Sequence, residues 1–105
     1  MEAIDLFDEI KDVAKNYEIQ SIILFGSRAK GKEREESDID ICVIADTTNK
    51  RRLAASLSAE IDCELPIDII VYTPDEWSEC IKDKTSFASV ILAEGRVIYG
   101  QQKIS

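Results

Sequence analysis

Asp38, Asp40 and Asp68 are the residues of this 105-residue sequence whose type and spacing point to chemistry. Asp38-Ile39-Asp40 and Ile67-Asp68-Ile69 both alternate acid with aliphatic. Successive side chains of a strand point to opposite faces. In the first segment Ile39, Ile41 and Val43 would share one face, and Asp38, Asp40 and Cys42 the other. In the second, Ile67, Ile69 and Val71 oppose Asp68, Ile70 and Tyr72. If the two strands lie side by side, three carboxylates converge on one patch, since neighbouring strands are about 5 Å apart and alternate residues about 7 Å. Such carboxylates repel one another unless a cation neutralises them. With oxygen ligands only, the ion is hard, and Mg²⁺ or Mn²⁺ fits. One such aspartate alone would read as a side chain facing water. The pair plus Asp68 in matching register reads as a metal site.

A second signal precedes the first acidic strand. Gly26-Ser27 follows a β-branched apolar run and opens a basic loop with Arg28 and Lys30. A glycine there lets the chain turn sharply and lets backbone N–H groups approach a ligand. Such a turn is a phosphate cradle, and Ser27 adds a hydroxyl donor. By itself a Gly-Ser dipeptide marks an ordinary turn. Its position one short loop before the acidic strand gives it weight.

Composition narrows the chemistry further. No histidine is present, so a Ser-His-Asp triad, a Cys-His dyad and a His-containing zinc site are all excluded. Cys42, Cys63 and Cys80 are far apart and read as buried thiols in a reducing compartment. Thirteen basic against 21 acidic residues give a net charge of −8, which argues against nucleic acid as a partner. Seven basic residues nevertheless lie between Arg28 and Arg52, a local zone suited to a small anion. At 45% apolar and 32% charged the sequence is that of a globular domain. No apolar run approaches the roughly 20 residues of a membrane helix. The start, Met1 to Asp5, is acidic where a signal peptide would be basic, so a cytoplasmic, single-domain protein over 1–105 is expected.

The elements that would position these residues follow from periodicity. Ile4, Phe7, Ile10, Val13, Ala14 and Tyr17 recur at helical spacing from about Glu2 to Tyr17. Ile19 to Phe25, Asp38 to Ile44, Ile67 to Tyr72 and Arg96 to Tyr99 read as strands. Helices are expected from Asn49 to about Cys63, from Pro74 to about Ile81, and from about Ser86 to Glu94. Thr73, Pro74 and Glu76 supply an N-cap, a first-turn proline and a capping box. Gly95 is expected as a C-cap. Alternating helices and strands imply an α/β (α+β) domain with one small sheet.

The stretch Gly26-Ser27-Arg28-Ala29-Lys30-Gly31, then five residues, then Ser37-Asp38-Ile39-Asp40 resembles the G-S-x-A-x-G-x(n)-S-D-x-D signature of the nucleotidyltransferase superfamily that includes DNA polymerase beta. Its size and G-S-R-A-x-G form resemble the minimal nucleotidyltransferases, the MNT-type antitoxins often encoded beside a HEPN-domain protein. The later acidic strand and the Glu94-Gly95-Arg96-Val97-Ile98-Tyr99-Gly100 ending also fit. The resemblance implies a small mixed sheet with helices packed on one face and the active site on the other. It assigns Gly26 and Ser27, with Arg28 and Ser37, to the nucleotide. It assigns Asp38 and Asp40 to the metal-binding pair and Asp68 to the third catalytic carboxylate. The implied reaction is Mg²⁺-dependent transfer of AMP from ATP, with two metal ions, to a hydroxyl. The implied acceptor is a tyrosine of a partner HEPN ribonuclease toxin.

Two other readings compete. The chain could act as a masking module that binds the toxin without catalysis, or as a stand-alone transferase of a small molecule. The intact Gly-Ser turn and all three aspartates favour the enzyme, and 105 residues leave little room for a small-molecule pocket. Glu33, Glu35 and Glu36 read as a solvated loop, and Glu60, Asp62 and Glu64 as a surface helix end. Trp77, Phe87 and Tyr99 read as core or partner contacts rather than base-stacking groups, with Trp77 the candidate interface anchor.

Overall fold

The computed structural model describes residues 3–26, 39–61 and 66–100. The elements run α1 (Ala3–Ala14), β1 (Ile19–Phe25), β2 (Ile39–Ala45), α2 (Lys50–Glu60), β3 (Ile67–Tyr72), α3 (Pro74–Cys80), α4 (Phe87–Glu94) and β4 (Arg96–Gly100). The four strands form one sheet in the order β3-β2-β1-β4. β2 and β3 are parallel, as a helical crossover requires, whereas β1 pairs antiparallel with both β2 and β4. The mixed α/β sheet is therefore the expected one.

Each face of the sheet has its own core. Ile22 and Leu24 of β1 and Ile39, Ile41 and Val43 of β2 pack with Ile10, Val13 and Ala14 of α1 and Leu57 of α2. This is the aliphatic face read from the strand alternation. α1 is shorter than its periodicity implied, but Tyr17, just past its end, still packs on this core and donates to the Glu60 carboxylate.

The acid-bearing face is covered over part of its length. Ile23, Cys42 and Ile44 pack there against Trp77 of α3 and Ala88 and Ile91 of α4. The expectation of helices on one face only is thus corrected: they lie on both, because Ile23, Cys42 and Ile44 make the acid face apolar beyond Asp40, and the site end is what α3 and α4 leave uncovered. Trp77 is 2% exposed and meets Tyr72 edge-on, with ring centroids 5.3 Å apart. The expectation of an interface anchor is corrected: Trp77 is core, because the third strand's acid face carries Tyr72 at its far end and a large ring fills the space above it. Cys42 is buried beneath α3, and burial pushes its thiol up to about 12. It is an inert core group rather than a ligand.

Local signals set α3 and α4 in place. Thr73 caps α3, with its hydroxyl accepting from Glu76 N at 3.2 Å and Glu76 Oε1 accepting from Thr73 N at 3.0 Å. Lys50 at the start of α2 donates to both Glu76 oxygens, at 3.0 and 2.8 Å. That ion pair and the Thr73 amide hold the Glu76 carboxyl below its usual range. Ser86 caps α4, and its hydroxyl donates to Cys80 O at 2.6 Å, tying the two helices together.

Gly95 does end α4, but in an extended conformation (φ −83°, ψ 170°), not the left-handed one usual for a C-cap glycine. Its reason is contact. A Cβ there would lie 2.5 Å from Ile23 Cγ2 and 2.6 Å from Ile91 O. Gly95→Ala is expected to destabilise the fold by about 1–3 kcal/mol, the usual cost of overpacking. Chemical denaturation measures this, and an unchanged midpoint would show that the α4–β1 junction yields freely.

Candidate active site

β2 and β3 put two of the three aspartates side by side. In the parallel register Asp40 is the partner of Asp68, between Ile39↔Ile67 and Ile41↔Ile69. Partners on adjacent strands share a face about 4.8 Å apart, so both carboxylates project from the same end of the acid face. The flanking isoleucines turn the other way, Ile39 and Ile41 fully into the core. A slip of one residue would put the acids there instead, which makes the register costly to change. Asp40 is half-buried and Asp68 exposed.

Gly26 completes this end of the sheet. It follows Phe25, whose antiparallel partner is Asp40. Its φ is +80°, a left-handed conformation that strongly favours glycine. A Cβ added at Gly26 would sit 2.4 Å from Asp40 Oδ2. The turn is thus backed directly onto the carboxylate, and only a missing side chain permits that approach. The spacing of Gly26 and Asp40 in sequence does not reveal this contact; the β1–β2 pairing creates it.

Asp38, Ser27, Arg28 and Ser37 lie outside the described residues, as do Lys30, Cys63, Asp62, Glu64 and the glutamates at 33, 35 and 36. Among the described residues no three Asp, Glu, Cys or His side chains group as metal ligands. The donor set that is described, two carboxylates in register without sulfur or nitrogen, has the oxygen-only character that Mg²⁺ or Mn²⁺ takes. A groove of about 540 Å³ lies further along β3, lined by Lys50, Ile70, Tyr72, Asp75, Glu76 and Glu79 among others. Neither Asp40 nor Asp68 lines it, but Ile70, the next residue after Asp68 on that strand face and about 7 Å along it, does.

Sequence reasoning missed one feature here. Phe25 lies beside Asp40 on the same face, and Phe87 at the start of α4 meets it edge-on, with centroids 5.6 Å apart at 84°. Phe25 immediately precedes the Gly-Ser turn, which was the one available hint.

A four-stranded mixed sheet with a strand–Gly turn backed onto an aspartate, and a second aspartate on the next parallel strand, defines a class. The chain belongs to the polymerase beta nucleotidyltransferase family, whose model matches residues 8–104. It is a nucleotidyltransferase.

Among its relatives is MJ0604 of Methanocaldococcus jannaschii, named as a protein adenylyltransferase. The two are 36% identical over 81 residues, 77% of this chain and 79% of the relative. The fold matches a chain in a crystal structure of a toxin–antitoxin with AMP-PNP. The TM-score is 0.62 at 24% identity, covering 91% of this chain and 74% of that one. It also matches, with a TM-score of 0.56 at 21% identity, a chain of a Shewanella oneidensis structure. That structure contains a tri-AMPylated HEPN toxin with its MNT antitoxin, and the match covers 93% of this chain and 72% of that one. No described helix is long and apolar enough to cross a membrane.

Proposed function

We propose that this protein is a single-domain, cytoplasmic adenylyltransferase that moves AMP from ATP to a tyrosine hydroxyl of a partner HEPN-type toxin, and so acts as an antitoxin. The observation that carries the proposal is the Asp40–Asp68 register with Gly26 backed onto Asp40. The relative named as a protein adenylyltransferase supports a protein acceptor. The neighbour with an AMPylated HEPN toxin supports the partner's kind.

The Gly26 turn and the Asp40–Asp68 register support the roles given to those residues, and the roles of Ser27, Arg28, Ser37 and Asp38 rest on the sequence signature. The Gly26 turn, with Ser27, Arg28 and Ser37, holds the triphosphate. Its left-handed glycine lets backbone N–H groups come close to phosphate oxygens. Asp38 and Asp40 would hold Mg²⁺ with the triphosphate, two ions in the reading of the signature, and Asp68 would complete the set beside the acceptor. Metal held there would supply charge neutralisation for the displacement. Asp68 orients the acceptor hydroxyl and takes its proton on a carboxylate oxygen. The acceptor oxygen bonds to the α-phosphorus as the bond from that phosphorus to the bridging oxygen of the β-phosphate breaks. Pyrophosphate leaves. Positioning and charge do most of the work, and no histidine is needed.

The test is incubation of the protein with Mg²⁺, ATP labelled at the α-phosphate, and the product of the adjacent gene. Mass spectrometry is expected to find an AMP-sized addition on the partner that vanishes with Asp40→Asn. A partner that is silenced in a stable complex but never modified would replace this reading with a masking module.

A further inference from the structure

The aromatic pair has no role in the transfer as described; Phe25 is half-buried against the second core, but Phe87 is not core. Phe87 is 51% exposed, the most exposed of the large apolar side chains described. It is nevertheless held. Phe87 is the first residue of α4, fixed by the Ser86 cap, whose hydroxyl accepts from Ser89 N at 3.1 Å. The Ser89 hydroxyl donates to Asp83 O at 2.7 Å, so the start of the helix is anchored to the preceding turn. Phe25 supports the ring from below in an edge-to-face contact. Such a contact leaves a ring face free when the ring stands at the surface. Half-exposed, Phe87 is not core, and its one ring contact is Phe25, the strand partner of Asp40.

We propose that Phe87, supported by Phe25, is the stacking platform for the base of the bound nucleoside triphosphate. This rests on the adenylyl-transfer reading above. The sheet order decides the side. Asp68 on β3, where the acceptor hydroxyl is placed, and Phe25 on β1 flank Asp40 on opposite sides. The aromatic pair therefore stands on the side of the Gly26 turn, away from the acceptor. A flat apolar ring suits the π-face that every base carries, and stacking of this kind is tolerant of base identity. A free phosphate chain makes no use of it.

That difference supplies the test. Affinities of the full chain for Mg²⁺-ATP and for Mg²⁺-tripolyphosphate, which has phosphates but no base, are measured by calorimetry for the parent, Phe87→Ala and Phe87→Trp. Phe87→Ala is expected to weaken ATP about tenfold, equivalent to about 1.4 kcal/mol, and to leave tripolyphosphate unchanged. Phe87→Trp is expected to keep ATP binding, which controls for a folding defect. Equal weakening of both ligands, or an unchanged ATP affinity in Phe87→Ala, overturns the platform. Unchanged ATP affinity with lost retention of the partner would overturn it in favour of a protein-docking role for the ring. A parent that binds neither ligand overturns the transfer reading itself.

Discussion

Asp68→Asn is expected to lower adenylyl transfer by at least about a hundredfold while nucleotide affinity changes by no more than a few-fold. The asymmetry comes from where Asp68 stands. Gly26 and Asp40 are in contact with each other at the β1–β2 end of the site, whereas Asp68 is one strand further out on β3. Losses of a hundredfold to a thousandfold in turnover are usual when a single preorganised charge-stabilising group is removed. Asparagine keeps the shape of aspartate but neither accepts the hydroxyl proton nor supplies the negative charge. Because Asp68 is exposed, the fold is expected to tolerate the change within about 0.5 kcal/mol. Single-turnover label transfer and equilibrium ATP binding, measured on the same preparation, separate the two effects. Transfer equal to the parent would remove Asp68 from the machinery, and lost ATP binding would move it to the nucleotide side.

Gly26→Ala is expected to damage both stability and transfer. Two costs coincide at this residue. A non-glycine residue at φ +80° costs about 1–2 kcal/mol. Its Cβ would also press to 2.4 Å from Asp40 Oδ2, so the carboxylate must turn away or the turn must open. A loss of 1 kcal/mol lowers the melting temperature of a domain near this size by about 4–8 °C. Transfer is expected to fall at least tenfold, because misplacement of a positioning group by about 1 Å can cost a hundredfold. The two costs are separable. In an Asp40→Ala background the contact is gone, so Gly26→Ala there is expected to show the backbone cost alone. A double-mutant cycle in melting temperature reads the difference as a coupling between residues 26 and 40. Zero coupling would show that the turn and the carboxylate are not in contact in solution.

These two residues also show how far the sequence alone reached. That Asp40 and Asp68 lie on strand faces opposite their isoleucines follows from a period of two, which any strand must obey. The capping box at Thr73 was legible for the same kind of reason: its hydrogen bonds join residues three apart. Gly26 was legible as a turn because it ends a β-branched run. In each case the physics is local, involving neighbours within a few positions.

The contact between Gly26 and Asp40 was not legible, nor was the reason for Gly95, because each glycine makes room for atoms brought by another element. Trp77 shows the same limit. An aromatic ring in the first turn of a helix suits a surface or a core equally, and only the packing of α3 over Cys42 and Ile44 buries it. Phe87 went the other way: of the core and partner roles it was read for, its half-exposed place against Phe25 leaves only the surface one. The sequence by itself determined the elements, the two-faced strands and the acid-and-glycine chemistry, since these depend on backbone period and side-chain type. Only the tertiary structure decided that Asp40 pairs with Asp68, that Phe25 flanks Asp40, and which end of the acid face α3 and α4 leave open. Strand order and helix placement are set by the burial of surfaces far apart in the chain, and no local pattern records which of them will meet.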